Sequence, residues 1–427
     1  MRTTRIDDSF MKDGLKQKNP GKRVLRTGIV FDRPDEYQNI AGPADRFAEF
    51  EPESTIEAME QAVLLSGHVP VRIGSPARLL DNAPKVDVIW NIGEGYGTRN
   101  REAWTPVICE MLGIPYLGSD AFALSVTLDK VLAKQIAQQL GIPTTPSQVI
   151  PFGNNHKKAD RITLKERYPG PEASESAVSC PEKEVPLPKP IHPYPLFLKP
   201  RYEGTSKGIS IQSIVRNDSA FEKQCRYLLE TYRQDVLAEP FLSGPEITCA
   251  LAYHPLQALP VLERGLHPSG IGAHAVAGGT AAHAGTLSQA ETGEYPETAC
   301  KRFIHAGDES SIPDSNTEKP SATDDGTVDA GAITLKDEAT VSGAITPQLE
   351  ADLVSWSLAF CKWLDIRDFV RMDFKLDSDG NPIFLEANPL PTFGTDSTFA
   401  ILAEINGITY PEFLSGILNA ALQRLDL

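Results

Sequence analysis

The chain has 427 residues, of which 41% are hydrophobic and 23% charged, with a formal net charge of −16; this length suits two or three domains that each bury a core. A surface this acidic repels phosphate backbones, which excludes general nucleic-acid binding but leaves room for a small anion in a local basic pocket. No run approaches the roughly 20 apolar residues that span a bilayer, and six dispersed cysteines (Cys109, Cys180, Cys225, Cys249, Cys300, Cys361) without a C-x-x-C pair exclude a disulfide or zinc framework. Met1 to Lys22 lacks the apolar centre of a signal peptide, so the expected setting is cytoplasmic, with neither membrane nor nucleic acid as partner.

Gly28 to Phe31 reads as a short buried strand. Ile56, Met59 and Val63 then recur at helical spacing, with Gly67 as the stop. Strands are expected at Val69 to Ile73 and Val86 to Trp90. A helix follows whose buried stripe is expected to be Trp104, Val107, Ile108, Met111 and Leu112, ended by Gly113. This succession predicts a layered α/β domain with a mostly parallel sheet. Another helix is expected over Leu128 to Leu140, burying Leu128, Val131, Leu132, Ile136 and Leu140.

Residues 151–194 are rich in proline, serine and charge and read as a surface insertion. Strand signals return at Pro195 to Lys199, Ile209 to Ile214, Val236 to Glu239 and Ile247 to Tyr253. A second irregular stretch, about 266–344, has little periodicity and is expected to be largely disordered. A helix carrying Leu349, Leu353, Trp356, Phe360 and Leu364 precedes strands at Asp368 to Leu376 and Pro382 to Glu386. A last helix runs from Pro411 to about Leu425.

Arg371-Met372-Asp373-Phe374-Lys375 and Phe384-Leu385-Glu386-Ala387-Asn388 flank the turn Asp377 to Gly380. Alternate side chains of a strand share a face. Arg371, Asp373 and Lys375 therefore point one way, and Met372, Phe374 and Leu376 the other. An antiparallel return brings Glu386 and Asn388 near Asp373. Two carboxylates about 4 Å apart repel by about 4 kcal/mol at an effective dielectric near 20, which calls for a cation. Oxygen ligands of this type suit magnesium; a solvated hairpin face is the alternative.

Lys199 ends a strand, and Glu203-Gly204-Thr205-Ser206-Lys207-Gly208 follows as a glycine and hydroxyl loop whose N–H groups could cradle phosphate oxygens. It is no Walker sequence, and a plain hairpin turn is the alternative. Lys130 and Lys134 share a helix face that by default is solvated. Glu239 ends a strand, with Glu246 shortly after. His267, His274 and His283 lack a fixed spacing and are not expected to bind metal.

The order of these signals resembles the ATP-grasp superfamily. More narrowly, Trp90-Asn91-Ile92-Gly93-Glu94-Gly95, Leu112 to Asp120 and Leu128-Asp129-Lys130 are similar to the D-alanine–D-alanine ligase family. The resemblance covers about residues 24–150, 195–262 and 347–427. It implies an α/β (α+β) ATP-grasp fold with a 1–23 extension and an N-terminal layered α/β domain over 24–122. A central subdomain over 123–237 and a C-terminal subdomain over 238–427 would carry the two irregular insertions.

By the resemblance, Lys130 and Lys199 contact ATP phosphates, and Glu203, Gly204, Thr205, Ser206 and Gly208 belong to the mobile loop over them. Glu239, Phe241 and Leu242 border adenine, and Glu246 holds the ribose. Asp373, Glu386 and Asn388 bind two magnesium ions, with manganese as an alternative. Arg371 faces the developing charge, and Ser397 lies near the first substrate. Thr392 stands where the family has the glycine whose N–H binds the oxyanion. Glu51 or Glu53 sits near the place of the acid that holds the substrate amine. The implied activity is ATP-dependent joining of a small acid or amino acid to an amine, in a chain whose relatives form homodimers. A nucleotide-binding sensor without turnover is the competing reading. A dinucleotide reductase is rejected, because Phe31-Asp32-Arg33-Pro34 stands where Gly-x-Gly-x-x-Gly is required.

Overall fold

The computed structural model describes residues 23–37, 42–82, 85–153, 187–264, 300–301 and 345–427. Strands β1 (Arg26–Val30), β2 (Val69–Gly74), β3 (Val88–Asn91) and β4 (Tyr116–Leu117) form a parallel sheet ordered β2-β1-β3-β4. Parallel neighbours need crossovers, here supplied by α1 (Glu53–Leu65), α2 (Pro76–Asn82) and α3 (Trp104–Leu112). In α1 the expected residues Ile56, Met59 and Val63 are buried, together with Thr55, Ala58 and Ala62.

The stripe expected on α3 is corrected. Thr105, Pro106 and Cys109 are buried, while Met111 is 77% exposed and Val107 and Leu112 are also exposed. Only Ile108 of the expected set packs on the core with Cys109. The helix is apolar nearly all round, so periodicity alone could not choose the face.

The helix expected over Leu128 to Leu140 is two helices, α4 (Ala121–Leu128) and α5 (Lys130–Gln139). They part at Asp129, whose carboxylate accepts from Val131 and Leu132 N–H as the N-cap of α5. The buried residues of α5 are Lys130, Ala133, Lys134, Ile136 and Ala137, and Leu132 is exposed. The default of a solvated lysine face is overturned: α5 turns its lysines inward.

The second sheet is antiparallel and ordered β5-β8-β6-β7, from β5 (Gln148–Ile150), β6 (Leu196–Pro200), β7 (Ile214–Val215) and β8 (Val236–Pro240). Helix α6 (Asp218–Tyr232), capped by Asn217, buries Phe221, Cys225 and Leu228 against Leu196, Leu198 and Val236. The strand expected over Ile209 to Ile214 is shorter. A 3-10 turn at Ile211–Ser213 is held by reciprocal Ser210 and Ser213 capping, and only Ile214–Val215 pairs.

The third sheet runs β12-β11-β9-β13-β14. Its members are β9 (Glu246–Ala252), β11 (Leu262–Arg264), β12 (Cys300–Lys301), β13 (Phe369–Leu376) and β14 (Pro382–Asn388), with β10 (Gln257–Ala258) on β9. The short β12 lies inside the stretch read as irregular and pairs antiparallel with β11. Under the sheet, α7 (Pro347–Leu364) packs Leu353, Phe360 and Leu364 on Met372, Phe374 and Phe384. The other face joins the first sheet, α8 (Thr398–Ile405) and α9 (Tyr410–Arg424) in one core through Trp90, Phe369, Phe393 and Phe413. Buried Asp368 ties this junction, accepting from Gly118 N–H and from Arg424.

His267, His274, His283, Cys180 and most of both expected insertions lie outside the described residues. Among the described residues no helix is long and apolar enough to cross a membrane. Cys109, Cys225, Cys249 and Cys361 are buried free thiols.

Candidate active site

The pairing of β13 with β14 sets Asp373 opposite Glu386 and Arg371 opposite Asn388. Thr248 of β9 donates to Asp373 Oδ1 at 2.8 Å, and Arg371 Nε donates to Oδ2 at 2.9 Å. The Asn388 amide donates to Asp373 at 3.0 Å and to Glu386 at 3.4 Å. Lys130 Nζ lies 3.3 Å from Glu386 Oε2. Burial opposes ionisation of Glu386, but Lys130, Lys199 and Arg371 hold its carboxyl down at about 2.

These three side chains therefore converge, as expected from strand alternation. Two carboxylates and an amide that can turn its oxygen inward fit a hard divalent cation. Among the described residues no three His, Cys, Asp or Glu gather into a metal-binding group, so the set depends on the Asn388 amide.

The inward lysines meet a second buried acid. Lys134 pairs with Glu239 and donates to Thr145 Oγ1 at 2.8 Å, while Lys199 Nζ lies 2.9 Å from Glu239 Oε2. Against its own burial, Glu239 is held at about 2 by these two ammonium groups. Burial pushes Lys134 down to about 8 while Glu239 resists. Glu246 faces Lys375 in register, and its charge reaches both Lys199 and Arg371. Phe241 N–H donates to Pro195 O at 3.0 Å, with its ring 6.3 Å from that of Phe197. Leu242 follows, half-buried.

The glycine loop lies beside these acids. Thr205 (φ 42°) and Ser206 (φ 56°) hold the left-handed region, a cost that marks a segment whose shape its surroundings impose. A Cβ on Gly204 would come 2.8 Å from Glu49 Oε1, and one on Gly208 2.6 Å from Pro200. Gly204 N–H donates to Glu49, Gly208 N–H to Asp45, and Lys130 to the Glu203 carbonyl. Lys130, Glu203, Gly204, Thr205, Arg371, Glu386, Asn388 and Thr392 line one cleft with about 490 Å³ of empty space. Asp373, Lys199, Glu239, Phe241, Leu242, Glu246, Ser206 and Gly208 are not part of that lining. Neither is Ser397, which is buried at the start of α8.

The family model described as D-ala D-ala ligase C-terminus matches residues 333–419, beginning inside the stretch read as an insertion outside the resemblance. The D-alanine–D-alanine ligase of Acetivibrio thermocellus is 24% identical over 349 residues, 81% of this chain and 70% of that protein. An uncharacterized protein of Sinorhizobium fredii, y4sG, is 23% identical over 338 residues, 79% of this chain and 75% of its own length. Among solved structures, the D-alanine–D-alanine ligase from Bacillus anthracis complexed with ATP superposes with a TM-score of 0.56 at 17% identity, covering 94% and 99% of the two chains. The fold is that of the D-alanine–D-alanine ligases, and the C-terminal part matches that family's model.

Segments outside the sheets contribute residues that the sequence reading passed over. Arg101 Nη2 pairs with Glu49 Oε1 at 2.6 Å, both side chains nearly wholly buried, and Arg101 Nη1 donates to Tyr202 O at 2.8 Å. Lys207 Nζ lies 2.9 Å from Glu49 Oε2 and also pairs with Glu203. Glu94 and Glu102 line the same cleft. The Arg101 contact with a loop about 100 residues on was not visible in the sequence. Glu51 and Glu53 also separate. Glu53 is a surface partner of Arg72 and Arg33. Glu51 accepts from Phe393 N–H at 2.6 Å and Thr55 Oγ1 at 2.9 Å, and burial raises its carboxyl to about 7 despite these donors.

Proposed function

We propose that this ligase-like chain is an ATP-dependent carboxylate–amine ligase that forms an amide through an acylphosphate, with release of ADP and phosphate. The observation that carries the reading is the meeting of Lys130, Glu386, Asp373 and Asn388 at a cleft that the Gly204 loop also lines. A carboxylate attacking the γ-phosphorus must approach another anion. Asp373, Glu386 and Asn388 would hold magnesium, which when bound supplies charge neutralisation at the phosphates. Lys130 and Lys199 carry fixed positive charge to the same place. The substrate acid takes the phosphoryl group and ADP departs; an amine then attacks the acyl carbon, and the tetrahedral intermediate expels phosphate.

Arg371, in the cleft lining, offsets charge on the reacting oxygens. Thr392 lines the cleft as well and keeps a backbone N–H where the family places its oxyanion donor. Glu239, Phe241, Leu242 and Glu246 would border the nucleoside. Glu51 is favoured over Glu53 as the holder of a substrate amine, because it is turned into the loop that leads to Ser397. Loop residues Glu203, Gly204, Thr205, Ser206 and Gly208 would close over the phosphates and exclude water. An intact pair of metal acids favours turnover over passive sensing.

The deciding experiment incubates the protein with ATP, magnesium and a panel of D- and L-amino acids. ADP, phosphate and a ligated product by mass spectrometry are expected. ATP binding with no product from any pair would leave only a sensor.

A further inference from the structure

One part of the cleft lining gathers more carboxyl groups than the protein supplies cations for. Glu49, Glu94, Glu102 and Glu203 all line it. Two buried cations serve them: Arg101 pairs with Glu49 and, at 3.7 Å and 3.9 Å, reaches Glu102 and Glu203, while Lys207 pairs with Glu49 and Glu203. Lys130 is nearby but is committed to Glu386. Glu94 is the residue left over. It is 8% exposed, lines the cleft, and through its carboxylate makes no hydrogen bond or ion pair among the described residues. Burial, Glu102 and Glu49 all oppose its charge, with Arg101 only partly offsetting them.

A buried carboxylate without a partner is costly, and a cleft position gives it access to one from outside. A metal ion is a poor fit, because no three such ligands gather among the described residues. An organic cation needs only acceptors and charge. Four carboxyl groups on this wall face two fixed cations, so a cationic ligand that enters the cleft finds acceptors not already taken.

We propose that Glu94, supported by Glu102, is the recognition site for a second positive charge on the amine substrate, so that the substrate class is a diamine or basic amino acid. The inference rests on the ligase reading for the word substrate, but the binding site stands or falls separately.

The test is calorimetry of 1,4-diaminobutane and of D- and L-lysine against counterparts that lack the second ammonium group, butylamine and D- and L-norleucine, on the wild type and on Glu94→Gln. A dicationic probe should bind the wild type about tenfold or more tightly than its counterpart, the range expected of a charge-assisted contact. Glu94→Gln should erase that preference while leaving magnesium–ATP binding unchanged. Equal binding of probes with two and with one ammonium group to the wild type overturns the proposal, and so does a preference that survives in Glu94→Gln. If the variant does not fold, the wild-type comparison decides alone. Absence of ADP with every amine, alongside an intact charge preference, would overturn the ligase reading and leave the cation site standing.

Discussion

Lys130 Nζ and Glu386 Oε2 stand 3.3 Å apart, which joins the first turn of α5 to the last residues of β14. The lysine also donates to the Glu203 carbonyl, so one ammonium group spans the metal acids and the glycine loop. Lys130→Met should leave Glu386 with a weaker counter-charge and the nucleotide with one cation fewer. The KM for ATP should rise about tenfold or more, the scale of one charge-assisted contact. Titration of initial rates against ATP checks this.

Asp373→Asn keeps an acceptor for Thr248 but removes the charge that pairs with Arg371 and that would hold a divalent ion. Turnover should fall to near background while the protein still folds, with a lowered melting temperature because Asp373 is buried and pairs with Arg371 at 2.9 Å. Wild-type rates in this variant would show that the metal assignment is wrong.

Glu239 lies between Lys134 and Lys199, so Glu239→Gln would bury two ammonium groups without their anion. Losses on breaking a buried pair run to about 3–5 kcal/mol. Urea unfolding should show a loss of that order, and Glu239→Gln combined with Lys134→Met should recover part of it. Additive losses would mean that the contact is not energetically coupled.

The pH dependence of stability has two opposite parts. Glu51 has a folded value of about 7 against an ordinary 4.5, so the folded protein keeps a proton that the unfolded chain releases. Its contribution is fully present below about pH 4.5 and is lost as pH rises through 7. Glu51→Gln should therefore gain on the wild type across that window, by up to about 3 kcal/mol. Glu49, Glu239 and Glu386, each held at about 2, act the other way: their contribution is present above about pH 4.5 and fades toward 2. Urea titrations from pH 2 to 8 separate the two.

Gly208 has φ +75°, and an added Cβ would stand 2.6 Å from Pro200. Gly208→Ala should strain the end of the loop, lowering kcat with only a modest change in melting temperature. Gly380→Ala, also left-handed but with nothing within 4 Å of its Cβ, is the control for backbone strain alone.

Strand alternation was enough to place Asp373 beside Glu386, because a face in β-structure repeats every second residue and the turn after Leu376 is short. The helix faces were harder. On α5 the leucines suggested one face and the protein buries the lysines, since Glu239 and Glu386 supply charge that arises only when three elements meet. Helix α6 went unread although Asn217 caps it and Phe221, Cys225 and Leu228 line it. The meeting of Arg101 and Lys207 on Glu49 carries no local pattern, because both contacts span more than 50 positions.

The shared core around Trp90, Phe369 and Phe393, tied by Asp368 to Gly118 and Arg424, makes one block of the parallel sheet and the C-terminal sheet. Room for a nucleotide would then have to come from elsewhere, for which the antiparallel layer of β5 to β8 would swing away from that block. Such a swing has to part Gly204 and Lys207 from Glu49, and Gly208 from Asp45. The acids of the N-terminal segment thus act as a clasp, and the ease of undoing it would govern how fast spent nucleotide escapes.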